Sequence, residues 1–167
     1  THYGARLRVS RFRPSGRARE SWEALKLDPA QLEELSAWLN RDPSILTGDS
    51  FFSISQDGRR QLGLDMCGAA RMTACIDPSG NVFPCAFMQS AEFCGGSLRE
   101  KSFKDIWDSA PSFDFFRHLE PASCRKCPRF EKCRGGCPAV AYFLTRDPNS
   151  PDPECLMNWS KEAIGAG

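Results

Sequence analysis

Cys124, Cys127, Cys133 and Cys137 fall within fourteen residues, at the spacing C-x2-C-x5-C-x3-C. Soft thiolates gathered this closely are metal ligands, suited to zinc and to iron–sulfur clusters alike. A tight turn separates Cys124 from Cys127, so both sulfurs reach one centre, and Cys133 is near enough to supply a third ligand. Arg134-Gly135-Gly136 lets the backbone reverse sharply, because glycine takes positive φ at little steric cost. The reversal aims Cys137 away from the first centre and toward a second. Five more cysteines stand around this knot: Cys67, Cys75, Cys85, Cys94 and Cys155. On spacing alone, a zinc-stabilised module that binds a protein or peptide is the alternative to iron–sulfur. Nine thiols, an odd number, without a visible secretory segment point to a reducing, cytoplasmic setting and to metal rather than disulfides.

These thiols need elements to position them. Met72–Asp77 and Asn81–Cys85 are the expected arms of a β-hairpin turned at Pro78-Ser79-Gly80, which sets Cys75 roughly across from Cys85 whichever register the turn adopts. Asp28-Pro29-Ala30-Gln31 predicts a capped helix start, with Leu32, Leu35, Trp38 and Leu39 as its packing stripe and Asp42-Pro43 as its end. Phe51–Ile54 is expected as a short strand and 56–60 as a loop. Ser102 should begin a helix with Phe103, Ile106 and Trp107 on its apolar face, broken by Pro111. A second short helix carries Phe113, Phe116 and Leu119. Pro138 opens an apolar helix through Leu144, after which a proline-stiffened loop, Asp147–Pro153, delivers Cys155. His118 stands alone and is read as a surface or packing residue.

Composition narrows the function classes. Basic and acidic residues nearly cancel, 22 against 21, so bulk charge gives no case for nucleic-acid or membrane partners. No apolar run approaches the roughly 18 residues of a membrane span. The first nineteen residues are basic, with Arg6, Arg8, Arg11, Arg13, Arg17 and Arg19 and no acid before Glu20. Leu7 and Val9 alternate with them as in a strand with one wet face. No aromatic stacking pattern accompanies the arginines, so a solvated face or the lining of an anionic pocket is the expected reading, ahead of a nucleic-acid arm.

The pattern Cys67-x12-Gly80-x4-Cys85, then C-x2-C-x5-C-x3-C, then Cys155 resembles the seven-cysteine signature of SPASM domains. These are C-terminal extensions of radical S-adenosylmethionine (SAM) enzymes that modify ribosomally made peptides. Ile76-Asp-Pro-Ser-Gly-Asn-Val-Phe-Pro-Cys85, Gly96-Ser-Leu-Arg-Glu-Lys-Ser-Phe-Lys-Asp-Ile-Trp107 and Cys133-Arg-Gly-Gly-Cys137 carry the likeness. Leu46-Thr-Gly-Asp-Ser-Phe-Phe52, Met66-Cys-Gly-Ala-Ala-Arg71 and Pro151-Asp-Pro-Glu-Cys155 are similar to the mycofactocin-maturing branch of those enzymes.

The resemblance implies an α+β fold: a small irregular domain with a β-hairpin, short helices and cysteine-rich loops around two iron–sulfur clusters, preceded by the last piece of a partial (β/α) barrel. It implies four segments: 1–27 as the barrel's end, 28–61 as a linking helix and short strand, 62–157 as the auxiliary-cluster domain and 158–167 as a tail. Cys124, Cys127, Cys133 and Cys155 would bind one auxiliary [4Fe–4S] cluster. Cys67, Cys85 and Cys137 would bind the other, with Cys75 as the candidate fourth ligand and Cys94 second. Electron transfer and substrate docking are the implied roles. The implied partners are a precursor peptide, a peptide-binding chaperone and an electron donor protein. Radical SAM chemistry also needs a C-x3-C-x2-C loop, which does not occur here: Cys133-x3-Cys137 is followed by Val140. The chain is therefore expected to be catalytically incomplete alone, with S-adenosylmethionine and a third [4Fe–4S] cluster belonging to a barrel before Thr1.

Overall fold

Asp28 and Gln31 exchange hydrogen bonds to start a 13-residue helix over Pro29–Arg41. The Asp28 carboxylate accepts the Gln31 N–H at 2.8 Å, and the Gln31 side chain accepts the Asp28 N–H at 3.0 Å. Pro29 sits at the first helical turn, where its missing N–H costs nothing. The computed structural model describes residues 3–42, 44–47, 67–155 and 157. The strand expected at Phe51–Ile54, the loop at 56–60 and the tail at 158–167 lie outside the described residues. The chain falls into two units, 1–67 with 120–167, and 68–119.

In the first unit, β1 (Arg8–Val9) pairs in parallel with β2 (Leu46–Thr47), in register Arg8 to Leu46 and Val9 to Thr47. The crossover between them holds α1 (Trp22–Leu25) and α2 (Pro29–Arg41). Parallel strands need such a connection, because a tight hairpin cannot return the chain in the same direction. Leu32, Leu39 and Ile45 form the core beneath the pair, with Val9 and Leu35 packed against it. Trp38 was expected in that stripe and is 40% exposed instead. At 3.6 residues per turn it lies about 120° around the axis from Leu32. The small Ser36 takes the buried place. Later in this unit come α5 (Phe130–Cys133) and α6 (Pro138–Thr145).

In the second unit, β3 (Cys75–Ile76), β4 (Asn81–Phe83) and β5 (Gly96–Ser97) form an antiparallel sheet in that order. Asp77 ties the first turn: its carboxylate accepts the N–H groups of Ser79 and Asn81 and the Asn81 side-chain amide. Gly80 takes φ +90°, a left-handed conformation that an L side chain resists. The register pairs Cys75 with Phe83, two residues before Cys85. The third strand, β5, was not anticipated; two residues flanked by glycine leave little pattern. The helices α3 (Phe103–Ser109) and α4 (Pro111–Arg117) meet at Ala110. Ser102 caps α3 by accepting the Asp105 N–H. Val82, Met88, Ile106, Phe113 and Phe116 are the buried centre, and Phe93 meets Phe116 edge-on at 5.4 Å. Phe103, expected on the apolar face, is 42% exposed. Mixed short helices and small sheets make this an α+β chain. Among the described residues no helix is long and apolar enough to cross a membrane.

Candidate metal centre

A run of overlapping turns presents the cysteines of the knot. The Cys124 N–H donates to Pro121 O at 2.8 Å, Cys127 N–H to Cys124 O at 2.9 Å and Phe130 N–H to Cys127 O at 3.0 Å. Each turn advances the chain by about three residues, so Cys124 and Cys127 sit on successive loops of one coil. The single turn of α5 then carries Cys133. Arg134, Gly135 and Gly136 follow at φ +54°, +88° and +85°. Three consecutive left-handed residues fold the backbone back, and Cys137 emerges as the cap of α6. A side chain at Gly136 would run into the Asp152 carboxylate, and one at Gly135 would meet Pro121 Cγ at 2.8 Å. Glycine is thus required twice over, by handedness and by space.

The return loop is anchored by Asp152. Its N–H donates to Gly135 O at 3.2 Å and its C=O accepts the Cys155 N–H at 3.0 Å. Its carboxylate accepts the Cys137 N–H at 2.8 Å and the Glu154 N–H at 3.0 Å. Arg11 closes the arrangement with a forked pair onto Asp152, at 2.6 and 2.9 Å, and a further bond to Glu154. Arg11 was read with its neighbours as a solvated or anion-lining arginine. It is instead 7% exposed and paired with carboxylates of the chain itself, whereas Arg6, Arg8, Arg17 and Arg19 do face solvent.

Cys124, Cys127, Cys133 and Cys155 all line one small cavity, part of it open to solvent. Phe130 and Met157 line it as well, and Cys137 does not. Cys133 is the most buried of the four. Burial pushes its thiol up to about 12, and the charges of Cys155 and Asp152 add to this. The nearby backbone N–H groups of Gly135 and Gly136 pull the other way. A bound cation would reverse the balance, since metal ligation requires and favours the thiolate. For Arg11, burial opposes the charged form, but the charge and hydrogen bond of Asp152, with Glu154, outweigh it and raise its pKa. Burial pushes the Glu154 carboxyl up, against the pull of Arg11.

Among the described residues, no group of three or more His, Cys, Asp or Glu side chains is set to hold a single metal ion, and no disulfide joins any two cysteines. A lone zinc draws its sulfurs to about 2.3 Å from one point. The four thiols share one cavity, and four thiolates are a donor set that suits an iron–sulfur cluster. In the second unit Cys75 is half-buried on β3, Cys85 half-buried after β4, and the Cys94 thiol points to Gly96 O at 3.7 Å. The loop Gly68–Thr73 is held to the residue preceding Cys85, through Ala70 N–H to Pro84 O at 3.0 Å. Arg117 fastens the same loop, donating to Ala70 O at 2.8 Å and Trp107 O at 2.6 Å while lying over the Trp107 ring.

Sequence reasoning missed Arg11, Asp152, Glu154 and Arg117 as organisers. The Pro-Asp-Pro-Glu run before Cys155 was the available signal, because two acids in a stiff loop beside a candidate ligand call for a buried cation.

Residues 67–128 match the model of SPASM, an iron–sulfur cluster-binding domain. Across nearly its whole length, 97%, it is 40% identical to the mycofactocin maturase MftC of Mycobacterium ulcerans, covering 45% of that protein. The corresponding protein of Mycobacterium tuberculosis is 37% identical over 98% of the chain, covering 43% of its own length. The PqqA peptide cyclase of Methylocella silvestris is 36% identical over 60% of the chain, covering 28% of its own length. The chain thus spans less than half the length of these curated relatives.

Proposed function

We propose that this chain is the auxiliary-cluster portion of a radical SAM enzyme that modifies a ribosomally made peptide, in the manner of the mycofactocin maturases. Cys124, Cys127, Cys133 and Cys155 hold one [4Fe–4S] cluster. Cys67, Cys85 and Cys137 hold a second, with Cys75 as its candidate fourth ligand and Cys94 behind it. Residues 62–157 form the auxiliary-cluster domain. The parallel β1–α2–β2 unit ahead of it has the connectivity of the last piece of a (β/α) barrel. The observation that carries the reading is the cavity on which four cysteines from separate turns converge.

Bound there, a cluster supplies one-electron transfer. The protein's own part is to hold the ligands, to bury them beside Phe130 and Met157, and to aim backbone N–H groups at Cys133. Hydrogen bonds and burial of this kind set cluster potentials. The partners are a precursor peptide, a peptide-binding chaperone and an electron donor protein in the cytoplasm. S-adenosylmethionine and its own cluster belong to a preceding barrel.

Anaerobic purification tests this. The expected product is a brown protein with broad absorbance near about 400 nm and about eight irons per chain, two four-iron cages. A colourless protein holding zinc would refute the reading in favour of a zinc-stabilised binding module.

A further inference from the structure

Arg11 stands 141 residues from Asp152 and far outside the segment that matches the iron–sulfur domain, yet its guanidinium is inserted into the loop that carries Cys155. The side chains of Arg11, Asp152 and Glu154 are 3%, 1% and 11% exposed. Two carboxylates this deep, next to a cavity lined by thiols, are stable only if a cation compensates them. Arg11 does so with a planar fork: one nitrogen to each oxygen of Asp152, and a shared nitrogen to Glu154. Lysine, a point charge, cannot reproduce that geometry.

What Arg11 fixes is the position of ligands. With its carboxylate held, Asp152 reaches Gly135 through its N–H, Cys155 through its C=O and Cys137 through Oδ2. All three lie on the backbone that sets where the knot and the return loop present their sulfurs. We infer that Arg11 is the positioning residue of the Cys124–Cys127–Cys133–Cys155 cluster, so that this cluster assembles only when the segment following β1 is docked on the return loop. Without the guanidinium, Asp152 and Glu154 turn outward to water and take Cys155 with them. Three thiolates then remain, and the cluster fails to form. The inference rests on the iron–sulfur reading proposed above and adds a dependence on residues that bind no iron.

The test loads the full chain anaerobically with iron and sulfide, as wild type, Arg11→Met, Arg11→Lys and Cys155→Ala. Iron per chain is counted, and the reduced proteins are compared by electron paramagnetic resonance. Arg11→Met should retain about half the wild-type iron and lose the same signal that Cys155→Ala loses. Arg11→Lys, which keeps the charge but not the fork, should recover part of it. Far-UV circular dichroism checks that the variants are folded. Full loading of Arg11→Met overturns the inference, and so does loss of both signals in a folded protein. Should Arg11→Met not fold, Arg11→Lys decides: partial loss confined to the Cys155 signal supports the inference, and full loading overturns it. A wild-type chain that takes up no cluster sinks the iron–sulfur reading itself, whereas full loading of both wild type and Arg11→Met sinks only the role given to Arg11.

Discussion

Gly136→Ala tests the geometry of the knot more sharply than a change to a ligand. Gly136 sits at φ +85°, and an added Cβ would lie 2.6 Å from Asp152 Oδ2. The left-handed conformation costs an L residue about 1–2 kcal/mol. The Cβ also displaces a buried carboxylate from the Cys137 N–H, and losing a hydrogen bond to a charged group costs about 1.5–3 kcal/mol. Together these give about 2.5–5 kcal/mol. Gly16→Ala is the reference. Gly16 also has positive φ, +57°, lies in the same unit and has nothing within 4 Å of an added Cβ. It should cost only the handedness term, about 1–2 kcal/mol.

Urea unfolding of the anaerobically loaded proteins, followed by circular dichroism and by cluster absorbance, measures both variants. Gly136→Ala should unfold well before Gly16→Ala, with its cluster absorbance fading first. If the two variants come within about 1 kcal/mol of each other, the close approach to Asp152 does not hold the return loop, and the account of how Cys155 is placed is wrong.

Cys155→Ala should lower iron from about eight to about four per chain and remove one paramagnetic signal while sparing the other; simultaneous loss of both contradicts the division of ligands. Phe113 is fully buried between Trp107 and the sheet-side glycine Gly95, so Phe113→Ala should cost about 3–5 kcal/mol in urea unfolding, and a cost under about 1 kcal/mol would place the core of that unit elsewhere. Hydrogen bonds from the Asn81 side chain and backbone, with Ser79 and Gly80, hold the Asp77 carboxyl below the usual carboxylate range. A depressed folded value stabilises above the unfolded value of about 3.9 and is lost as pH falls through the folded one. The gap in urea midpoint between wild type and Asp77→Asn, open at pH 6, should therefore close below about pH 4; a gap that stays constant would mean the carboxylate charge does not hold the turn.

Local chemistry was legible in the sequence and distant pairing was not. Asp28, Pro29 and Gln31 announce their helix because a capping box is written in four adjacent residues. The hairpin was visible for the same reason, since Asp77, Gly80 and Asn81 satisfy one another within five residues. Its register stayed open, because two-residue strands hold too little alternation to choose among partners for Cys75. The parallel pairing of Arg8 with Leu46 spans a whole helix, and nothing local encodes it. Arg11 misled for a related reason. In a run of arginines each looks like a solvated charge, and only the fold reveals which of them meets carboxylates from the far end of the chain.

Why the cysteines of the knot are interrupted by two glycines and tied to one aspartate follows from the turn itself. Cys133 and Cys137 are only four residues apart, so an ordinary helix would stack them on one face and send both sulfurs into the same space. Arg134, Gly135 and Gly136 prevent this by reversing hand, and Cys137 drops out of the cavity that Cys133 lines. Such a reversal leaves its backbone groups without helical partners in a buried region, a cost that must be met from elsewhere. Asp152 meets it, accepting the Cys137 N–H and donating to Gly135 O. The residue that satisfies the reversal is thereby the one that delivers Cys155 to the cavity Cys137 has left. The exchange of one sulfur for another is built into a single aspartate, its carboxylate on Cys137 and its backbone on Gly135 and Cys155, and that is why the return loop, rather than the knot alone, brings the fourth thiol to the cavity.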